Sequence, residues 1–86
     1  MVMSIERNKD LVCRYYEEVV STGEIERIGE FVASEYTEVY RNVRYPLGLD
    51  GAREHVEGVR RVYPDLRITV DHQIAEADWV VSLVRV

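Results

Sequence analysis

Two histidines, one cysteine, six tyrosines and sixteen acidic residues are the groups in this 86-residue chain that could do chemistry. His72 lies in "LRITVDHQIAEA", where apolar and polar residues alternate, and it falls on the apolar side with Leu66, Ile68, Val70 and Ile74. An imidazole facing a pocket titrates near neutrality, which suits general-base or hydrogen-bonding work. The competing reading is a packed or edge-exposed histidine. Glu38 and Asp71 are the carboxylates that could form an acid–base pair, which needs one of them buried and its pKa raised. Alternation turns Asp71 away from the apolar side. Glu38 shares parity with Tyr36 and Tyr40, so it faces either a cavity or solvent. Tyr16, Tyr36 and Tyr40, with Val59 and His72, make the candidate ligand pocket, apolar with a few polar tips. The catalytic candidates are His72, Tyr40 and Glu38. Tyr15 and Tyr63 sit at helical spacing and fit a core, and His55 falls off the apolar stripe of its helix and reads as exposed.

Other chemistries lack their parts. One cysteine and two histidines at no ligand spacing make no metal set, and no cofactor is expected. There is no glycine-rich phosphate loop, no serine elbow and no Cys–His arrangement for nucleophilic catalysis. Arg53, Arg60, Arg61 and Arg67 form a mild basic group that either pairs with nearby acids or holds an anion, surface pairing being the default. The net charge of −5 argues against a nucleic-acid surface. Lone Cys13 cannot close an internal disulfide, which fits a reducing cytoplasm. "MVMSIERNKD" has no apolar h-region, and no apolar run reaches the ~20 residues that a membrane span needs.

The elements that must position these residues follow from periodicity. "SIERNKDLVCRYYEEVVSTG" predicts a helix with Ser4 as N-cap, an apolar stripe through Val12, Tyr15, Tyr16 and Val19, and Gly23 as C-cap. "EIERIGEFVAS" predicts a shorter helix burying Ile25, Ile28, Phe31 and Val32. Its Gly29 either costs up to ~1 kcal/mol or marks close packing against the first helix. "YTEVYRNVRY" predicts one short strand, and "PLGLDG" a loop. A third helix follows, capped by Asp50, with Ala52, Val56, Val59 and Tyr63 on one face and Pro64 ending it. The alternating stretch and "DWVVSLVRV" predict a hairpin turning near Ala77-Asp78. Helices gathered on one face of an antiparallel sheet give an α+β fold.

Two stretches carry a family resemblance: Tyr16-Glu17-Glu18 to Gly23-Glu24, and Tyr63-Pro64-Asp65-Leu66-Arg67 leading to Ala75-Glu76. Nearly all 86 residues resemble the SnoaL-like family, the polyketide-cyclase-like and ester-cyclase-like members of the cystatin-like, or NTF2-like, α+β cone. The resemblance implies a single domain over residues 1–86, with helices packed on a curved antiparallel sheet around a ligand cavity. It also implies a chain truncated after its third strand, since relatives continue for further long strands. In the family's enzymes the acid–base carboxylate and its histidine partner typically sit on those later strands, and neither has a counterpart here. Relatives often place a cavity-facing His or Asp on the first strand, where this chain has Glu38-Val39-Tyr40. Ala77 stands where relatives often have a turn glycine, a strained substitution if φ is positive. His72 stands where they often carry an acid or another polar residue.

The function expected is acid–base chemistry of cyclase, isomerase or hydrolase type on a small, mostly apolar carbonyl compound. The alternative is a non-catalytic ligand-binding or structural oligomer, or a remnant, of the same fold. The final strand, Trp79 to Val86, is apolar on both faces, and a bare apolar edge is a template for another chain. A homo-oligomer with this strand at or near its interface is therefore the expected partner arrangement.

Overall fold

A computed structural model describes residues 4–86. Helix α1 spans Ile5–Arg14, and Ser4 caps it by accepting a 3.1 Å hydrogen bond from the Arg7 amide. The helix then widens into a π turn over Tyr15–Val20, closed by the Ser21 amide donating to the Tyr16 carbonyl at 2.9 Å. In a π turn the amide of the fifth residue along, not the fourth, donates back to the first carbonyl. Gly23 ends the element at φ +80, donating to the Val19 carbonyl, as the C-cap reading requires.

The second helical stretch is a 3₁₀ helix, Ile25–Glu30. Its apolar side packs as the sequence predicts, with Ile28 fully buried and Ile25, Phe31 and Val32 against the core. Gly29 faces the third helix, not the first: a Cβ there would meet Leu49 Cδ1 at 4.0 Å. Around this stretch the acids of the chain's first half are organised. Arg27 reaches Glu18 at 3.1 Å and Glu30 at 3.2 Å, and Arg14 reaches Glu18 at 2.7 Å. Both guanidinium groups lie over the Phe31 ring, at 5.4 and 5.6 Å from its centroid.

The stretch read as one strand is a hairpin of two: β1, Glu38–Tyr40, and β2, Val43–Tyr45. Arg41 and Asn42 both adopt positive φ, the signature of a two-residue I′ turn. The turn carries no glycine, so residue type alone does not announce it. Tyr36 and Gly48 close the hairpin's base through a 2.9 Å backbone bond. Helix α2 spans Gly48–Val62 and starts two residues before the expected cap, so Asp50 lies inside its first turn and pairs with Arg53 at 3.1 Å. Ala52 and Val56 are buried as their stripe requires. Tyr63 is exposed, because the chain leaves helical geometry at that residue, one before Pro64.

Strand β3, Thr69–Glu76, pairs antiparallel with β4, Trp79–Arg85. Glu76 faces Trp79 across a two-residue turn, with Ala77 at φ +53. The expected strain at this alanine is thus real. The register runs Val70 to Val84 and then His72 to Leu83, so Asp71 is a β-bulge. Up to the bulge, Leu66, Ile68 and Val70 point inward. Beyond it the parity reverses, and Gln73 and Ala75 are the half-covered residues while His72 and Ile74 are exposed.

The described strands therefore form two separate two-stranded sheets, four strands in place of the expected three. Helices and antiparallel strands around a core of Val19, Val20, Ile28, Ala52, Val56 and Leu66 confirm the α+β class. Three polar clamps fasten the layers. Arg60 donates to the carbonyls of Val20, Leu66 and Pro64 at 3.1, 3.0 and 2.9 Å. Ser21 Oγ accepts from the Ile68 amide at 2.9 Å. The Gln73 amide nitrogen donates to the Lys9 carbonyl at 3.1 Å and to Ser82 Oγ at 3.2 Å, tying α1 to the inner sheet face.

Candidate functional site

A cavity of about 320 Å³ lies between the π turn, the start of β1, α2 and the segment entering β3. Its apolar wall is Val20, Val56, Val59, Leu66 and Ile68. Its polar side is Tyr15, Tyr16, Tyr36, Glu38 and His55. Of the predicted pocket residues, Tyr16, Tyr36, Val59 and the carboxylate Glu38 come together here. Tyr40 lines an adjacent cavity of about 380 Å³ with Tyr45, Leu47, Glu38 and His55.

Glu38 is the centre of the polar side. The Tyr36 hydroxyl donates to its Oε2 at 3.1 Å, and His55 Nε2 lies 3.5 Å from its Oε1. The second contact is too long for a hydrogen bond but close enough for charge pairing when the imidazole is protonated. The Glu38 side chain is about one-third exposed, at 30%. Burial, then the charge of Glu38, then the hydrogen bond to it push the Tyr36 phenol well above the usual tyrosine range. Tyr36 therefore stays protonated at physiological pH and keeps its donor on the carboxylate. Tyr15 is raised for the same first two reasons. The Tyr15 and Tyr16 hydroxyls have no hydrogen-bond partner among the described residues, and neither is sealed from solvent, so both are open to a ligand's oxygen.

Two sequence-predicted residues stand apart. His72 lies on the outer face of β3, opposite Leu83, and lines none of these cavities. The extra residue at Asp71 inverts the alternation that had placed it inward. Asp71 does not pair with Glu38: it is exposed, and Arg85 grips both its carboxylate oxygens at 3.2 and 3.1 Å. The histidine that reaches the site is His55, read as exposed from the sequence. Its side chain is half exposed, at 52%, yet it borders both cavities. Its place off the apolar stripe was the signal available: a rim position on α2 is where a polar group can touch a cavity without being buried. Among the described residues no group of three or more His, Cys, Asp and Glu side chains could hold a metal ion.

The family model for SnoaL-like polyketide cyclase matches residues 10–86. The chain belongs to that family. The matched span runs from the second half of α1 through β4. No curated protein and no solved structure matches this SnoaL-like chain. No helix among the described residues is long and apolar enough to cross a membrane.

Proposed function

We propose that this SnoaL-like protein transfers a proton at the carbon beside a carbonyl of a small, mostly apolar compound. The observation that carries the reading is Glu38, a carboxylate on the wall of an apolar cavity, held by a tyrosine on one oxygen and neighboured by a histidine at the other. In this reading Glu38 takes the proton from the α-carbon, the C–H electrons move into the enolate, and its oxygen meets the free hydroxyls of Tyr15 and Tyr16. The proton then returns to another carbon for isomerisation, or, for cyclisation, the enolate carbon bonds to a second carbonyl carbon, whose π electrons pass to its oxygen, and that alkoxide takes the proton back from Glu38. Tyr36 is a positioning residue and His55 a proton partner at the rim. A reducing cytoplasm suits the lone thiol of Cys13.

The test is deuterium exchange of the α-protons of 3-pentanone, followed by NMR. General-base catalysis is worth about 10²–10⁴-fold, so Glu38→Gln should slow protein-dependent exchange by at least about 100-fold. Exchange that persists in this variant removes the assignment. Binding without exchange in the unaltered chain sinks the catalytic reading and leaves the binding-module alternative standing.

We further propose that the chain self-associates through the outer face of the β3–β4 hairpin. Ile74, Trp79, Val81 and Leu83 share that face and are 62–75% exposed, a contiguous apolar surface of the kind that marks interaction sites. Sedimentation equilibrium over a concentration series tests this. A chain that stays monomeric throughout, or one whose association is unchanged by Trp79→Lys, refutes it.

A further inference from the structure

The two cavities share the same two residues. Glu38 and His55 line both the 320 Å³ cavity and the 380 Å³ cavity. The pair thus belongs to the wall of both chambers and marks where they meet. The reason is topological. Glu38 opens β1 at the hairpin's base, where the Tyr36–Gly48 backbone bond brings the chain back against the start of α2. One side of this junction faces the π turn and the core. The other faces Tyr40, Tyr45 and Leu47. Apart from the shared pair, the second chamber is lined by an aliphatic and two aromatic side chains and carries no charge.

We propose that a ligand passes the Glu38–His55 pair and fills both chambers, so that the site takes chain-like ketones whose carbonyl is internal, not terminal. This rests on Glu38 being the group that meets the reacting carbon. A ligand that reacts at its end would occupy one chamber and leave the apolar wall of the other facing solvent. A ligand with an apolar arm on each side of the carbonyl covers both walls, and each further methylene it buries is worth about fourfold in affinity. Leu47, on the wall of the second chamber, then sets the length of the second arm.

The experiment compares 5-nonanone with 2-nonanone, isomers that differ only in where the carbonyl sits, by calorimetric titration of the full chain. With two chambers, 5-nonanone binds about fifteenfold tighter, the value of roughly two further buried methylenes. Leu47→Trp should fill the second chamber and abolish the preference. Leu47 borders Gly51, where a Cβ would meet Leu47 Cβ at 2.7 Å, so this corner is tight. Tyr40→Ala, at an exposed residue, is therefore a second variant, one that removes a wall and should cut the preference to about threefold or less. Equal affinities for the two nonanones, or no binding of either, overturn the two-chamber site, as does a preference that survives both substitutions. The 3-pentanone exchange of the unaltered chain and of Glu38→Gln is measured alongside. Failure of the Glu38 reading thus registers there, independently of chain length.

Discussion

Replacing Arg60 with methionine keeps the aliphatic stem and removes a guanidinium that serves three backbone carbonyls. Those of Val20 and Leu66 are partly buried, and that of Pro64 is exposed. A hydrogen bond to a charged group is worth about 1.5–3 kcal/mol, and a partly buried acceptor left without its donor forfeits most of that. The exposed Pro64 carbonyl recovers water and adds little. The two partly buried carbonyls, which share one nitrogen, set the expected loss at about 3 kcal/mol. At ~0.05–0.15 kcal/mol per residue, a domain of 86 residues holds roughly 4–13 kcal/mol in all, so the loss is a large fraction. Urea denaturation should show it as a fall in midpoint at constant slope, and a thermal scan as a drop in Tm of about 12–24 °C. Gly23→Ala provides the internal check, because its Cβ would lie 2.8 Å from Arg60 Nε and push the same group away. The two substitutions together should cost less than their sum. A loss below about 0.5 kcal/mol for Arg60→Met, or strict additivity with Gly23→Ala, would refute the idea that this guanidinium clamps the π turn to the segment entering β3.

Ala77→Gly should stabilise the chain by about 0.5–1 kcal/mol, because it relieves a left-handed alanine at some entropic cost in the unfolded state, and the urea midpoint reports it. Cys13 donates to Glu17 Oε1 at 2.9 Å, and that bond, ahead of burial and the negative charges nearby, pushes its pKa from 9.0 up to about 11. Alkylation by iodoacetamide at pH 9 should therefore be slow and should quicken in Glu17→Gln; equal rates contradict the assignment. The sign of the linkage follows: the folded chain holds this proton more tightly, so the thiol's contribution to stability is complete below pH 9 and is lost as pH rises from 9 towards 11.

The sequence carried most of the frame. Ser4, Gly23 and Pro64 mark helix ends because capping and proline chemistry are local, and the end of the alternating run just before Trp79 marks the hairpin turn at Ala77-Asp78. Three of the features it missed have one reason each. The π turn adds a residue to a helix whose apolar stripe looks the same over so short a span. The β1–β2 turn is built from Arg41 and Asn42, so no glycine interrupts the run of strand-forming residues. The bulge at Asp71 hides inside a perfect alternation, and this moved His72 to the wrong side. The site's central contact, Glu38 with His55, joins a strand start to a helix rim. No local pattern encodes such a pairing, which exists only once the hairpin has folded back on α2.

The bulge also bears on how this strand tolerates change in length. Asp71 is surplus to the ladder: the residues before and after it already alternate correctly with it left out. Losing it would keep Val70, Gln73 and Ala75 inward and His72 and Ile74 outward, and losing His72 would let Asp71 take its place in the ladder, whereas losing a residue away from the bulge, such as Ala75, would throw part of the strand onto the opposite side. What would disappear is the local bend and extra twist that a bulge imposes. A gap of one residue in the middle of β3, ordinarily the mark of a ruined strand, would here signify a straighter sheet with every side chain still on its own side.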